Sequence, residues 1–277
     1  MAPQQYRSRI HLLAARHAPT IVILQRKRAK LFHVITVDTE KRRIEEGSWF
    51  RGKLYVMRCD VSFDGKFMVY LAMGSNGQTW NGICRPPWLT TLLDVENMGT
   101  WFGGGFFAGR QLLNTNGWSV GEKFTRTDIP FALRPYQSRY GGEDLGVIYE
   151  RLERDGFTRL GDCWGKRKKL ATRKYQVAVH GDDGWGCRFS RRHPPLKVRY
   201  VGYLMHGYTF EFWLDEYPGL LDGASWANWD EIGNLWVAKP GIVEQFTLKD
   251  LPRGRPSFSL DVDRLEPPPK AGSVLQV

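Results

Sequence analysis

The densest gathering of reactive side chains is Ala178–Phe189, AVHGDDGWGCRF, which sets His180, Asp182, Asp183 and Cys187 within eight positions. Imidazole, carboxylates and a thiol this close could hold a divalent cation or share a proton as an acid–base pair. The plainer reading is a turn, because Asp and Gly are the residues a tight connection requires. No H-E-x-x-H, G-x-S-x-G, calcium-loop or P-loop spacing occurs in the 277 residues. The acidic pairs Glu143/Asp144 and Asp215/Glu216 are the residue types of a glycosidase, whose chemistry depends on a carboxyl separation in space. Trp101–Gly109, WFGGGFFAG, is glycine-rich but lacks the Lys-Ser/Thr ending and following helix of a phosphate cradle. The four cysteines, Cys59, Cys84, Cys163 and Cys187, form no C-x-x-C pair. We expect no catalytic residue, metal, cofactor or disulfide framework.

Residues suited to binding are more distinctive. Gln78–Trp88, QTWNGICRPPW, gathers Trp80, Arg85 and Trp88, and Trp and Arg are typical interface anchors. Three basic runs stand out: Gln25–Lys30, Gly165–Lys174 and Cys187–Arg199, with Lys166, Arg167, Lys168 and Lys169 the densest cluster. Gln25–Lys30 lies between two β-like runs and reads as a hairpin tip whose charges guard an edge. The Lys166–Lys169 cluster could anchor an acidic partner or contact phosphates. A net charge of +11 and a pI near 9.6 favour anionic partners without naming one.

The elements that must position these residues are short strands. Thirty glycines and eleven tryptophans accompany a hydrophobic content of 42%, the balance of bulky strands separated by tight turns. Arg58–Ala72, RCDVSFDGKFMVYLA, sets two β-forming runs around Asp64-Gly65, a strong hairpin signal. Gly47–Gly65 and Gly99–Gly117 align without a gap at an offset of 52, matching Gly47/Gly99, Trp49/Trp101, Phe50/Phe102, Gly52/Gly104, Arg58/Arg110 and Gly65/Gly117. Pro86-Pro87 and Pro194-Pro195 lie 108 positions apart, each before a β-like run. Gly146–Gly161 reads as a further hairpin turning at Asp155-Gly156, and Ser225–Leu248 as three short strands.

Repeats of about 40–50 residues built from short antiparallel strands are the mark of a β-propeller. The fold expected is all-β, a small propeller of five blades at about 10–50, 51–102, 103–165, 175–217 and 218–252. A β-sandwich with insertions is the alternative. Trp49, Phe50, Trp101 and Phe102 are expected between blades. Residues 1–252 form one domain in this reading and 253–277 a Pro-rich tail, in which SFSLDV could add a closing strand.

The SFDG turn at Ser62–Gly65 resembles the S-P-D-G turn of TolB-like and WD-like propeller repeats. That resemblance implies a platform for partners. The reading that follows is a non-catalytic β-propeller binding a protein partner, acidic in surface, as a subunit of a larger complex. Trp80, Arg85, Trp88 and Lys166–Lys169 would make the contacts. Nucleic-acid binding through the basic surface and a propeller-type hydrolase are the alternatives. The N-terminal run TIVIL, Thr20–Leu24, is too short to span a membrane, and a cytoplasmic protein is expected.

Overall fold

The computed structural model describes residues 7–97, 99–119, 129–140, 143–160, 167–172, 175–180, 185–187, 189–204, 207–268 and 274–275. Five small sheets form a five-bladed β-propeller. Blade 1 is an antiparallel meander of β1 (Arg9–Ala14), β2 (Thr20–Arg28), β3 (Leu31–Asp38) and β4 (Arg43–Arg51). Blade 2 starts with β5 (Lys53–Leu54) and β6 (Asp60–Val61), which both pair with β7 (Met68–Met73), followed by β8 (Thr79–Arg85) and β9 (Trp88–Asn97). Blade 3 comprises β10 (Gly105–Gly109), β11 (Leu112–Asn116) and β12 (Ala132–Tyr136), with β12 parallel to β11. Helix α1 (Asp144–Arg154) leads into blade 4, which opens on β13 (Thr158–Arg159). A separate hairpin of β14 (Arg167–Thr172) and β15 (Tyr175–His180) intervenes before β16 (Trp185–Cys187), β17 (Leu196–Leu204) and β18 (Gly207–Trp213). Blade 5 is β19 (Trp226–Trp229), β20 (Leu235–Lys239), β21 (Ile242–Phe246) and β22 (Phe258–Asp261), the last supplied by SFSLDV. The backbone of β23 (Val274–Leu275) runs parallel to β4 at Trp49 and Phe50.

Alternate residues of a strand point to opposite faces, so a blade sandwiched between neighbours must be apolar on both. Blade 1 follows this rule. Ile10, Leu12, Ile21, Ile23, Ile35 and Val37 pack in a core with blades 4 and 5, while Leu13, Val22, Leu24, Phe32, Val34 and Phe50 pack against Met68, Tyr70 and Cys84 of blade 2. The other face of blade 2, through Val69, Ile83 and Leu93, meets Phe107, Leu113 and Phe131 of blade 3. Polar bonds add to this apolar closure between the first and last blades. Ser8 N–H donates to Asp263, Gln25 Nε2 to the Val262 carbonyl at 2.9 Å, and Lys27 Nζ to the Asp263 carbonyl at 2.9 Å.

The 52-residue echo is not a structural repeat, although the propeller is real. Trp49 and Phe50 lie buried on β4, whereas Trp101 is 74% exposed and Phe102 53% exposed in the connection between blades 2 and 3. The two windows differ from the start, since Gly47–Arg51 lie on β4 whereas Gly99–Phe102 lie in a connection, and a 3-10 turn at Val56–Arg58 then splits the inner strand of blade 2 into β5 and β6. Gly65 consequently lies at the tip between the first two strands of its blade, and Gly117 lies after the second strand of the next.

The expected hairpin at Gly146–Gly161 is helix for its first part. Val147, Ile148, Arg151 and Leu152 recur at helical spacing and are all buried. Asp155-Gly156 ends that helix. Gly156, at φ +86°, takes the left-handed position, its N–H donates to the Glu153 carbonyl, and Phe157 N–H donates to the Leu152 carbonyl. This bonding is the Schellman motif, so the Asp-Gly pair served as a helix stop.

The helix ties together strands of different blades. Asp60 on β6, 1% exposed, accepts from Phe107 N–H of β10 at 2.8 Å and pairs with Arg154 and with Arg151 at 3.3 Å. Arg151 also donates to the Cys59 carbonyl at 2.9 Å and lies over the Trp226 ring of blade 5. Arg154 donates to the Phe107 carbonyl and, through Nε, to Asp155, which in turn binds Arg16 beyond β1. Breaking a buried charge set by removing one partner costs about 3–5 kcal/mol, because the remaining charges lose their compensation. Asp60→Ala should therefore lower the unfolding free energy in urea by about that amount, while Asp64→Ala, at the exposed turn of the same hairpin, should cost well under half as much.

Candidate functional site

The hairpin β8–β9 presents the sequence-selected residues on a rigid sheet. Register pairs Trp80 with Glu96 near its open end and Arg85 with Trp88 at its turn, where Pro86-Pro87 connects the strands. Trp80 and Arg85 are thus separated by five positions, about 17 Å along a strand. Closeness in QTWNGICRPPW therefore does not bring Trp80 to Arg85. Arg85 and Trp88 do come together. Trp88 is 49% exposed, with its Nε1–H donating to Glu45 of blade 1 at 3.3 Å, and the Arg85 guanidinium sits 5.4 Å from the centre of the Phe67 ring. Arg85 also borders a shallow depression of about 360 Å³ with Thr20, Asp38, Arg43, Glu45 and Lys66.

Trp80 lines a different and more apolar space. A cleft of about 340 Å³ opens between the outer strand of blade 1 and the sheet of blade 2, bounded by Phe50, Leu54, Tyr70, Trp80, Leu89, Thr91, Asp94 and Glu96, among others. Register explains its composition. On the face toward blade 1 the cross-strand rows are Tyr70–Gly82–Asp94 and Ala72–Trp80–Glu96. Gly82 must be glycine, since a Cβ there would lie 2.2 Å from the Tyr70 ring, which crosses that spot. Tyr70 shares a 2.8 Å hydrogen bond with Thr91 on the far strand and accepts from Trp80 Nε1 at 3.5 Å. The β9 register slips between Leu93 and Thr91, so Leu92 is an extra residue. That bulge lets Thr91, Asp94 and Glu96 share the cleft face although their spacing is not uniformly two.

The electrostatics of the cleft are simple. Burial raises the Tyr70 pKa, with the Cys84 thiol and Asp94 carboxylate adding to the effect, so the phenol stays neutral. Burial likewise pushes the Cys59 thiol up to about 12 and Cys84 well above its ordinary value, leaving both as small protonated core groups. Asp94 and Glu96 are exposed and make no ion pair among the described residues. Phe50 and Trp80 meet edge to face, with ring centres 6.0 Å apart.

The other sequence-selected groups lie elsewhere. Arg167, Lys168 and Lys169 are on β14, paired across the hairpin with His180, Val179 and Ala178, in the blade 4 region and away from β8–β9. Lys166, Asp182 and Asp183 lie outside the described residues. Burial pushes the Cys187 thiol up to about 11. The acidic pairs are not opposed across a cleft. Glu143 and Asp144 are both bound by the buried Arg58 at the start of α1, whereas Asp215 binds Lys197 and Trp213 on blade 4. Nothing in the sequence marks Glu96 and Asp94 as binding residues. An acid alternating with apolar residues in DVEN is also the pattern of an ordinary solvent-facing edge strand.

One buried titratable group lies on the opposite face of the blade 1 edge. His33 stacks on Trp49 with ring centres 4.0 Å apart, and burial, with Lys27 adding, lowers its pKa to about 4. An unfolded chain protonates this ring near pH 6.5. The stabilising neutral form is therefore fully present above about pH 6.5, and its contribution falls away as the pH drops toward 4. Chemical denaturation at pH 7 and pH 4 should show wild type losing about 3 kcal/mol more than His33→Phe, which keeps a stacked ring without the proton. His11, also depressed by burial, remains in both proteins and leaves a residual slope.

No family model, curated protein or solved structure matches the chain. The five-bladed arrangement therefore stands on strand pairing and on the burial of blade faces against their neighbours.

Proposed function

We propose that this chain is a non-catalytic propeller that binds a protein partner along the side where blades 1 and 2 meet, as a subunit of a larger complex. The observation that carries the reading is the open, aromatic-walled cleft holding Trp80, set on paired strands. Paired strands hold binding groups in place with little ordering cost, and half-exposed tryptophans supply contact area. Trp88 and Arg85, about 17 Å further along the hairpin, extend the same side as an outer rim. The Ser62–Gly65 turn, in which Ser62 Oγ donates to Asp64 at 2.6 Å, supports kinship with TolB-like and WD-like repeats within this proposal. A cytoplasmic setting belongs to the same reading; among the described residues no helix is long and apolar enough to cross a membrane.

Affinity capture from the source cells should compare wild type with Arg85→Ala/Trp88→Ala, both changes falling on solvent-facing side chains. We expect a protein retained by wild type to be depleted at least fivefold from the variant, and the purified pair to reconstitute the complex. Identical captured sets would overturn the assignment of this edge. Titration with random DNA and RNA at two salt concentrations separates it from nucleic-acid binding, whose affinity should collapse at the higher salt.

A further inference from the structure

We infer that the cleft between blades 1 and 2 receives a lysine side chain of the protein partner, held by its ammonium group. This inference rests on the proposed binding function and reverses one part of the expectation from net charge. The chain carries 40 Lys and Arg against 29 Asp and Glu, yet the carboxylates facing this cleft are Asp94 and Glu96. Elsewhere carboxylates are held by nearby cations, as Glu244 is by Lys239 and Glu211 by Arg199. Neither Asp94 nor Glu96 has such a partner among the described residues. The cleft is thus an acidic spot on a cationic molecule, which selects for a positive ligand and against an anionic one.

Its walls suit the rest of a lysine. Phe50, Leu54 and Leu89 give an apolar lining for a four-carbon stem, and the partly exposed Trp80 offers a π-system to a cation. Asp94 and Glu96 alternate on one strand face, so their α-carbons lie about 7 Å apart. A compact point charge can sit between two such carboxylates, whereas the planar guanidinium fork favours both oxygens of one. The phenol of Tyr70, held neutral and already bonded to Thr91, adds no competing charge.

The test follows the indole N–H resonance of Trp80, assigned with Trp80→Phe, during titration with three probes: the peptide acetyl-Gly-Gly-Lys-Gly-Gly-amide, the same peptide with norleucine for lysine, and n-butylamine. The lysine peptide should shift the resonance saturably, the norleucine peptide at least tenfold more weakly, and n-butylamine more weakly than the lysine peptide. Asp94→Asn/Glu96→Gln, which alters only exposed side chains, should weaken the lysine peptide at least fivefold without changing the norleucine peptide. Equal binding of lysine and norleucine peptides would overturn the ammonium assignment while leaving an apolar docking cleft and the platform reading intact. Butylamine binding as well as the peptide would overturn a partner-borne lysine in favour of a free amine. Silence of Trp80 to all three probes would overturn the inference altogether, and the capture experiment above would still decide the platform reading independently.

Discussion

The whole assembly depends on a buried charge set at the convergence of the inner strands. Asp60 takes an amide from blade 3 and two guanidinium groups from α1, and those guanidinium groups reach on to the Cys59 and Phe107 carbonyls and the Trp226 ring. Each inner strand presents backbone groups and side chains that the axis would otherwise leave without partners. A helix carrying two arginines one turn apart satisfies several of them at once. Charges buried this deeply survive only when paired and hydrogen-bonded, so α1 and the inner strands hold one another in a single arrangement. At the helix start, Arg58 binds Glu143 and Asp144 together with the Thr100 and Phe102 carbonyls, joining blade 2, the inter-blade connection and the helix.

Around the buried charge set, blades 1 and 2 are held by apolar contact on both faces. Between blades 1 and 2, Met68, Cys84 and Leu24 are essentially inaccessible to solvent. The packing opens toward the rim, because sheets arranged radially diverge as they leave the axis. The cleft bounded by Phe50, Trp80, Asp94 and Glu96 lies where the outer strands of blades 1 and 2 have begun to separate. Its shape is therefore a consequence of propeller geometry, and its chemistry a consequence of which residues the β9 bulge turns inward.

Net charge proved a poor guide to local potential. The excess of lysine and arginine is spread over hairpin tips such as Ala29–Lys30 and over the β14 strand, while three of the arginines are buried and spoken for by internal carboxylates. What a partner meets at the blade 1–blade 2 rim is set by Asp94, Glu96 and Glu45 as much as by Arg85. Long-range attraction of an anionic molecule to the chain and local selection of a cation in the cleft are compatible, because exposed charges are screened within about 8–10 Å at physiological salt.

Local patterns establish that the chain is built from short strands and tight turns, that Ser62–Phe67 turns a hairpin, that Ser225–Leu248 holds three strands, and that SFSLDV can extend the last blade. The patterns are β-branched and aromatic runs, Asp-Gly pairs, and proline at strand starts. The sequence also points to five blades, partly through an echo that the structure does not honour, since Trp49 is buried and Trp101 is not. Only the tertiary structure decided that Asp155-Gly156 stops a helix instead of turning a hairpin, because both uses put glycine at positive φ and differ in what precedes them. It alone separated Trp80 from Arg85 and Trp88, since strand extension turns closeness in sequence into distance. It alone joined Trp80 to Asp94, Glu96, Tyr70 and Phe50, because these residues come from β4, β7, β8 and β9, and their meeting is fixed by register and by the packing of one blade on the next.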